Sequence, residues 1–230
     1  PEGLENYEDF LAGGRADYVF PELAESEACA MCYTSGTTGQ PKGVVYSHRA
    51  MVLHTFCVGL ADTVGLTQRD VLMPVVPMFH ANAWGLAHAA VMMGSKLVLP
   101  GPHLDAENLL GLCDSEQVTL ATGVPTIWMG ILQALEADSA NWNLHPELRT
   151  VVGGAAVPES MVRGFDRHDI TTIHAWGMTE MTPLGSVSRL KRGMENLSEN
   201  ERYQTRAKQG LAVPFVEIRV VNDEGEAAWD

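Results

Sequence analysis

From Tyr33 to Gly43 the chain reads Tyr-Thr-Ser-Gly-Thr-Thr-Gly-Gln-Pro-Lys-Gly. Gly36, Gly39 and Gly43 allow tight bends and let backbone N–H groups come close to a ligand. Thr34, Ser35, Thr37 and Thr38 add hydroxyls that donate to anionic oxygens. Lys42 adds a flexible positive charge, and Pro41 fixes the backbone just before it. Together these suit a polyphosphate gripped by many weak donors. A polar turn uses the same residue types, but in about two to five positions rather than a run of this length. The run is not a Walker A loop, which needs glycine before the lysine and Ser or Thr after it. Pro41 and Gly43 hold those places here.

The flanking pattern shows what must position this loop. An apolar run at 28–33 predicts a buried strand feeding it, and 44–46 a short strand leaving it. A surface connection with one short helix at 7–11 precedes them. Ser47 is a helix N-cap candidate, and Leu53, Phe56, Cys57 and Leu60 behind it fall on one helix face. Further runs at 71–76, 96–99, 118–122, 150–153 and 171–176 read as strands. Helical segments at 82–93, 106–116, 126–137 and 158–167 separate them, with Trp128, Ile131, Leu132 and Leu135 marking one face of the third. This alternation predicts an α/β fold, a parallel sheet flanked by helices in αβα layers with right-handed crossovers. Ligands then bind beyond the carboxyl ends of the strands, where the chain turns polar or Gly-rich after Tyr33, Val152 and Trp176. Residues 191–210 read as a polar, mobile or helical excursion. A strand at 215–221 and a turn at Asn222-Asp223-Glu224-Gly225 would begin a hairpin. The expected division is 1–66, the end of a first α/β subdomain; 67–190, a second; and 191–230, the excursion and the start of a truncated β-barrel.

Composition narrows the function. The 230 residues are 46% hydrophobic and 19% charged, and 15 basic against 29 acidic side chains leave a net charge of −14. That is ample for a core and poor for binding nucleic acid or an anionic membrane, although a local basic pocket is compatible with it. No apolar run reaches the length of a transmembrane span. No signal peptide is read at the start, and Pro1 suggests a cut chain. Cys29-x-x-Cys32 has the spacing of a redox or metal pair, but no second pair accompanies it. Positions three apart on a strand face opposite sides. Cys29, Cys32, Cys57 and Cys113 are therefore expected to be reduced and packed as small hydrophobes in a cytoplasmic protein.

The loop at 33–43 resembles the phosphate loop of the adenylate-forming superfamily of acyl-CoA synthetases, luciferases and peptide-synthetase adenylation domains. Two more blocks follow in that family's order, Gly153-Gly154-Ala155-Ala156 and Trp176-Gly177-Met178-Thr179-Glu180. The resemblance implies that Thr34, Ser35, Gly36, Thr37, Thr38, Gly39 and Lys42 grip the β- and γ-phosphates of ATP. It implies that Gly153, Gly154, Ala155 and Ala156 present bare backbone to adenine and that Trp176 covers the other face, where most relatives carry tyrosine. Gly177 and Met178 continue the nucleotide site, Thr179 bonds the α-phosphate, and Glu180 binds magnesium. Met181 intrudes where relatives have a small hydroxyl residue. Each of these also has an ordinary reading: Trp176 as core filler, Glu180 as a solvated surface residue.

Pro77-Met78-Phe79-His80-Ala81-Asn82-Ala83-Trp84 resembles the gate block of medium- and long-chain fatty acyl-CoA synthetases. By that resemblance His80 lies near the substrate carboxylate, Trp84 plugs the acyl tunnel, and Gly123 and Val124 form a wall of the acyl pocket. A structural histidine and a buried helix tryptophan are the ordinary alternatives. The resemblance implies a chain covering less than half of a family member, lacking the ribose-binding aspartate, the hinge and the C-terminal domain with its catalytic lysine. Its substrates would be ATP (leaving AMP), a fatty acid and coenzyme A, with Mg2+ as cofactor. Lys42, His80, Thr179 and Glu180 are the candidate catalytic groups. An aryl-CoA ligase, a fatty acyl-AMP ligase and a non-catalytic nucleotide-binding module remain open, as does a homodimer.

Overall fold

A computed structural model describes residues 5–34 and 39–225. After helix α1 (Tyr7–Ala12), strands β1 (Ala28–Thr34) and β2 (Lys42–Ser47) pair antiparallel, with Tyr33 opposite Gly43 and Thr34 opposite Lys42. Ser35, Gly36, Thr37 and Thr38 of the loop lie outside the described residues. The pairing still sets the two shoulders of the loop side by side. The expectation of a wholly buried β1 does not hold. Cys32 is buried, but Cys29, Met31 and Tyr33 are exposed. The hairpin is a two-stranded sheet of its own, so alternate side chains along it face outward. All four cysteines are unpaired; Cys32, Cys57 and Cys113 are packed inside as expected, and Cys29 is not.

Ser47 caps helix α2 (His48–Gly59), its hydroxyl accepting from the Ala50 N–H at 3.1 Å. The buried face of α2 is not the predicted one. Met51, His54, Thr55 and Val58, with Cys57, point inward, whereas Phe56 and Leu60 are exposed. Two polar residues occupy the buried stripe, so counting apolar residues alone misplaced it.

The main sheet holds β3 (Val71–Pro74), β4 (Lys96–Leu97), β5 (Leu120–Gly123), β6 (Arg149–Val152), β7 (Thr171–Gly177), β8 (Leu184–Val187) and β9 (Leu211–Ala212), in the order β4-β3-β5-β6-β7-β8-β9. Pairing is parallel from β4 through β7, and antiparallel for β8 and β9. Helices α4 (Leu86–Met93), α5 (Ala106–Glu116), α6 (Pro125–Ala137) and α7 (Glu159–Asp166) fall where the apolar spacing put helices. Successive strand residues alternate between two cores. Met73, Ala121 and Val152 pack with Leu109 of α5, Ile131 of α6 and Phe165 of α7. Leu72, Leu120 and Val151 pack with Val58 of α2 and Ala89 of α4. That alternation makes the three-layer αβα arrangement.

The predicted helix at 82–93 is broken. Ala81–Trp84, labelled α3, has φ of 46°, 54°, 50° and 57°, and Gly85 has φ 69°. Five successive residues thus form a left-handed turn before α4 starts. Four of them are not glycine, and each costs about 1–2 kcal/mol relative to the right-handed form. Helical propensity carries no signal for such a turn.

Residues 191–210 are partly helical, with a single turn at Met194–Asn196 and helix α8 (Glu199–Arg206). Ser198 and Glu201 form a capping box at the start of α8. Arg206 pairs with Asp166 of α7 at 2.8 Å, and Arg163 stacks over Tyr203 at 4.0 Å. The segment 215–221 is not a strand. Phe215, at φ 72°, ends a turn, and among the described residues after it Val221 is the single bridge residue. The turn at 222–225 does form, the Gly225 N–H donating to the Asn222 carbonyl at 3.0 Å.

At the amino ends of β3, β5 and β6, Asp70 is 6% exposed and accepts from Arg149 at 2.9 and 3.1 Å and from the Thr119 hydroxyl at 2.7 Å. Burial raises the pKa of its carboxyl, but the hydrogen bonds from Arg149, Thr119 and Thr67 outweigh burial and hold it below the usual aspartate value. The charged cluster pins the edge of the sheet opposite the functional loops.

Candidate active site

The carboxyl ends of β3, β5, β6 and β7 lie along one edge, because Pro74 aligns with Thr122, Gly123 with Val152, and Val152 with His174. The segments leaving those ends contain His80, Val124, Gly153–Gly154 and Met178–Thr179. A cavity of about 80 Å³ opens at this edge. His80, Trp84, Gly153, Gly154, Trp176, Gly177, Met178 and Thr179 are among the residues that line it. Eight of the singled-out residues, from three separate sequence blocks, therefore meet around one space.

Gly153 and Gly154 have a steric reason to be glycine. A Cβ on Gly153 would lie 2.8 Å from the Ala175 carbonyl oxygen and 3.4 Å from Cη2 of Trp84. Gly154 has φ 81°, and a Cβ there would lie 3.2 Å from Val124 Cγ1 and 3.9 Å from Trp84 Cζ2. The Trp84 indole therefore lies beside the bare Gly153–Gly154 backbone, held there by the left-handed turn. Trp176 is half-buried against β8, since a Cβ on Gly185 would come within 2.6 Å of its ring.

Other predicted residues stand outside the cavity wall. Thr34, Gly39 and Lys42 belong to the hairpin, Lys42 being exposed. Ala155 and Ala156 are exposed beyond Gly154, and Glu180 is exposed one residue beyond Thr179. Gly123 is buried against Trp128, where a Cβ would meet the indole Nε1 at 3.3 Å, and Val124 is partly exposed beside Gly154. His80 is exposed at the mouth.

The hairpin is tied to this edge by residues that sequence reasoning missed. The Tyr46 hydroxyl, from the buried face of β2, donates to the Thr179 carbonyl at 2.7 Å. Burial, with the neighbouring Cys32 and the charge of Glu180, raises the pKa of the Tyr46 phenol, so it stays a protonated donor. Cys32 of β1 reaches Asn82 Oδ1 in the left-handed turn at 3.6 Å. His54 also lines the cavity and was not singled out. A histidine within an apolar helix pattern carries no local mark of function. Its pKa is pushed down to about 4 by burial and by nearby His88, so the ring is neutral at pH 7.

Among the described residues no three His, Cys, Asp or Glu side chains gather as a metal cage. Glu180 is an exposed carboxylate one residue beyond Thr179 of the cavity wall, a donor of the kind that holds magnesium together with phosphate oxygens and water. No helix among the described residues is long and apolar enough to cross a membrane.

Comparison with known proteins shows the family. The chain is 49% identical over 225 residues to a 3-methylmercaptopropionyl-CoA ligase of Ruegeria pomeroyi, and 48% identical over 225 residues to a medium-chain-fatty-acid–CoA ligase of Ectopseudomonas oleovorans. Each match covers 97% of this chain and 41% of the relative, so the chain spans about two fifths of the length of these curated relatives. Among solved structures, the inhibitor-bound N-terminal domain of FACL13 from Mycobacterium tuberculosis superposes with a TM-score of 0.79 at 25% identity, covering 96% of this chain and 52% of that one. The model of one family, described as AMP-binding enzyme, matches residues 4–228. With that match over nearly its whole length, the chain belongs to the AMP-binding enzyme family.

Proposed function

We propose that this chain is the nucleotide- and acyl-binding part of an AMP-forming acyl-CoA ligase acting on fatty acids. The observation that carries the reading is the convergence of His80, Trp84, Gly153–Gly154 and Trp176–Thr179 on one cavity at the carboxyl edge of the sheet. Relatives at 47–49% identity that are named as acyl-CoA ligases support the choice of acid and of thioester product.

In this reading the substrate carboxylate attacks the α-phosphorus of ATP in line and displaces pyrophosphate. The acyl-adenylate then passes its acyl group to the thiol of coenzyme A, releasing AMP. The first step needs positioning and relief of developing negative charge more than covalent help. Lys42, Thr34, Gly39 and the loop residues Ser35, Gly36, Thr37 and Thr38 hold the β- and γ-phosphates. Gly153–Ala156, Trp176, Gly177 and Met178 hold the adenine and its neighbourhood, and the Thr179 hydroxyl donates to the α-phosphate. Glu180 holds magnesium, which when bound neutralises phosphate charge. His80 orients the carboxylate at the mouth. Trp84 closes the acyl entrance, with Gly123 and Val124 behind it. The strained turn carrying Trp84 supports that role, since left-handed non-glycine backbone is retained where surrounding structure over-determines it, as at clamps and switches. The unpaired thiols support a reducing, cytoplasmic setting. The hairpin is a sheet of its own that ends at Ser47, whereas Val58, Val64 and Leu66 pack with Leu72 and Leu120 of the main sheet, which favours a division of the chain near residue 47 over one near residue 66.

ATP–pyrophosphate exchange by the full-length protein, run against straight-chain carboxylic acids of increasing length, tests the reading. Exchange that depends on a fatty acid is expected. If no acid supports exchange while ATP binds, the acyl-activating reading is wrong and a nucleotide-binding module takes its place.

A further inference from the structure

One buried polar ring lines the cavity. His54, on the inward face of α2, is 6% exposed and lines the cavity with Val58, Val64, Leu86 and Val151. Its Nδ1 is buried and has no hydrogen-bond partner among the described residues. The ring lies against the left-handed turn, since a Cβ on Gly85 would come within 2.6 Å of His54 Cε1 and Nδ1. An unmet buried nitrogen destabilises the protein, whereas an apolar side chain of similar size would not. Because the ring also lines the cavity, a group that enters the cavity can supply the hydrogen bond that the protein does not.

The entering group can be narrowed by chemistry. His54 is neutral at pH 7, so one ring nitrogen donates and the other accepts. A hydroxyl does both, and so meets the ring in either tautomer. The surrounding aliphatic side chains suit a hydrocarbon chain, and the cavity volume of about 80 Å³ holds several groups the size of a water molecule. A hydroxyl carried into such surroundings without a partner would be costly.

We propose that His54 is a specificity-determining residue of the acyl pocket: its imidazole hydrogen-bonds a hydroxyl on the acyl chain, so the pocket favours hydroxyalkanoic acids over unsubstituted acids of the same length. This rests on the acyl-CoA ligase reading above.

The test measures kcat/KM for pyrophosphate release by the full-length protein. Straight-chain acids are paired with hydroxyacids of equal length whose hydroxyl is stepped along the chain. At one hydroxyl position the ratio of hydroxyacid to plain acid should fall by about tenfold or more from wild type to His54→Leu. His54→Gln, which keeps a donor and an acceptor, should fall between the two. Ratios equal within about twofold in wild type and His54→Leu at every position would overturn the proposal, leaving a water as the ring's partner. A wild type that activates no acid would instead sink the ligase reading and this proposal with it. If His54→Leu does not fold, the ring-nitrogen NMR shifts of His54 in the wild type decide the matter. A shift with hydroxyacid and none with plain acid supports the hydrogen bond, and no difference overturns it.

Discussion

The Tyr46 hydroxyl donates a 2.7 Å hydrogen bond to the Thr179 carbonyl, joining two segments 133 residues apart in sequence. One end stands four residues past Lys42, and the other immediately precedes Glu180. This bond fixes the hairpin proposed to grip the β- and γ-phosphates relative to the segment proposed to hold the α-phosphate and magnesium. Tyr46→Phe keeps the ring and removes only the donor, so it should cost about 1 kcal/mol of stability. Because the proposed catalysis is mostly positioning, kcat for pyrophosphate exchange by the full-length protein should fall by about tenfold, with the KM for fatty acid little changed. A stability loss with unaltered kcat would make Tyr46 a purely structural strut.

Glu180 stands exposed with no protein cation bound to it in any described ion pair. Glu180→Gln keeps its size and drops its charge. The full-length variant should need more magnesium for half-maximal exchange and lose about a hundredfold in kcat at the wild-type magnesium optimum. A titration with an unchanged midpoint would show that magnesium is held elsewhere.

Gly85 combines φ 69° with contact against the His54 ring. Gly85→Ala must accommodate both a left-handed alanine and a methyl overlapping an imidazole. It should destabilise the protein by about 2–4 kcal/mol in urea unfolding. A loss under about 1 kcal/mol would mean that α2 and the turn are free to move apart.

How far the molecule can be read from its residues follows from which forces act locally. The parallel sheet is legible because Leu72–Met73, Leu120–Ala121 and Val151–Val152 must be apolar in succession to serve a core on each face. The helices at 106–116 and 126–137 are legible because one stripe of each is buried. The left-handed turn at Ala81–Trp84 is not, because its conformation is imposed by neighbours such as His54 and Asn82's contact with Cys32. Strand β8 contains Gly185 and Ser186, which carry no strand signal. Gly185 instead leaves room for the Trp176 ring. In the site, residues in compact motifs were legible. Tyr46 and His54 were not, since their roles depend on contacts made only once the chain folds.

The 230-residue chain alone carries the proposed phosphate, adenine and metal contacts, but spans only 41% of its ligase relatives. It should bind ATP or AMP weakly and with magnesium dependence in calorimetry, and form no thioester from coenzyme A and a fatty acid. Partial contacts give partial binding, while stabilisation of the transition state needs the complete constellation. Robust thioester synthesis by this chain would refute that division of labour.

Two of the buried titratable groups, His54 beside the cavity and Asp70 at the amino ends of the strands, should act in different pH windows. His54 has a folded pKa of about 4 against an ordinary value of 6.5. Above pH 6.5 neither state binds the proton, and its contribution is fully present. As the pH falls from 6.5 towards 4, the unfolded chain takes up a proton that the folded chain refuses, so stability drops by at most about 3 kcal/mol. Burial, opposed by hydrogen bonds to the backbone, also holds the His174 pKa down, so part of this slope belongs to His174. Asp70 is depressed below its ordinary value of 3.8. Its contribution is therefore present above that value and lost only as the pH falls further, through the folded pKa. Urea unfolding across this range should show a shallower decline between pH 6.5 and 4 for His54→Leu than for wild type. Asp70→Asn should leave that slope intact but lower stability by about 3 kcal/mol at neutral pH, because Arg149 loses its buried partner. Equal slopes for wild type and His54→Leu would mean that the His54 ring is reached by water or a proton donor in the folded protein, and that its burial does not keep it neutral.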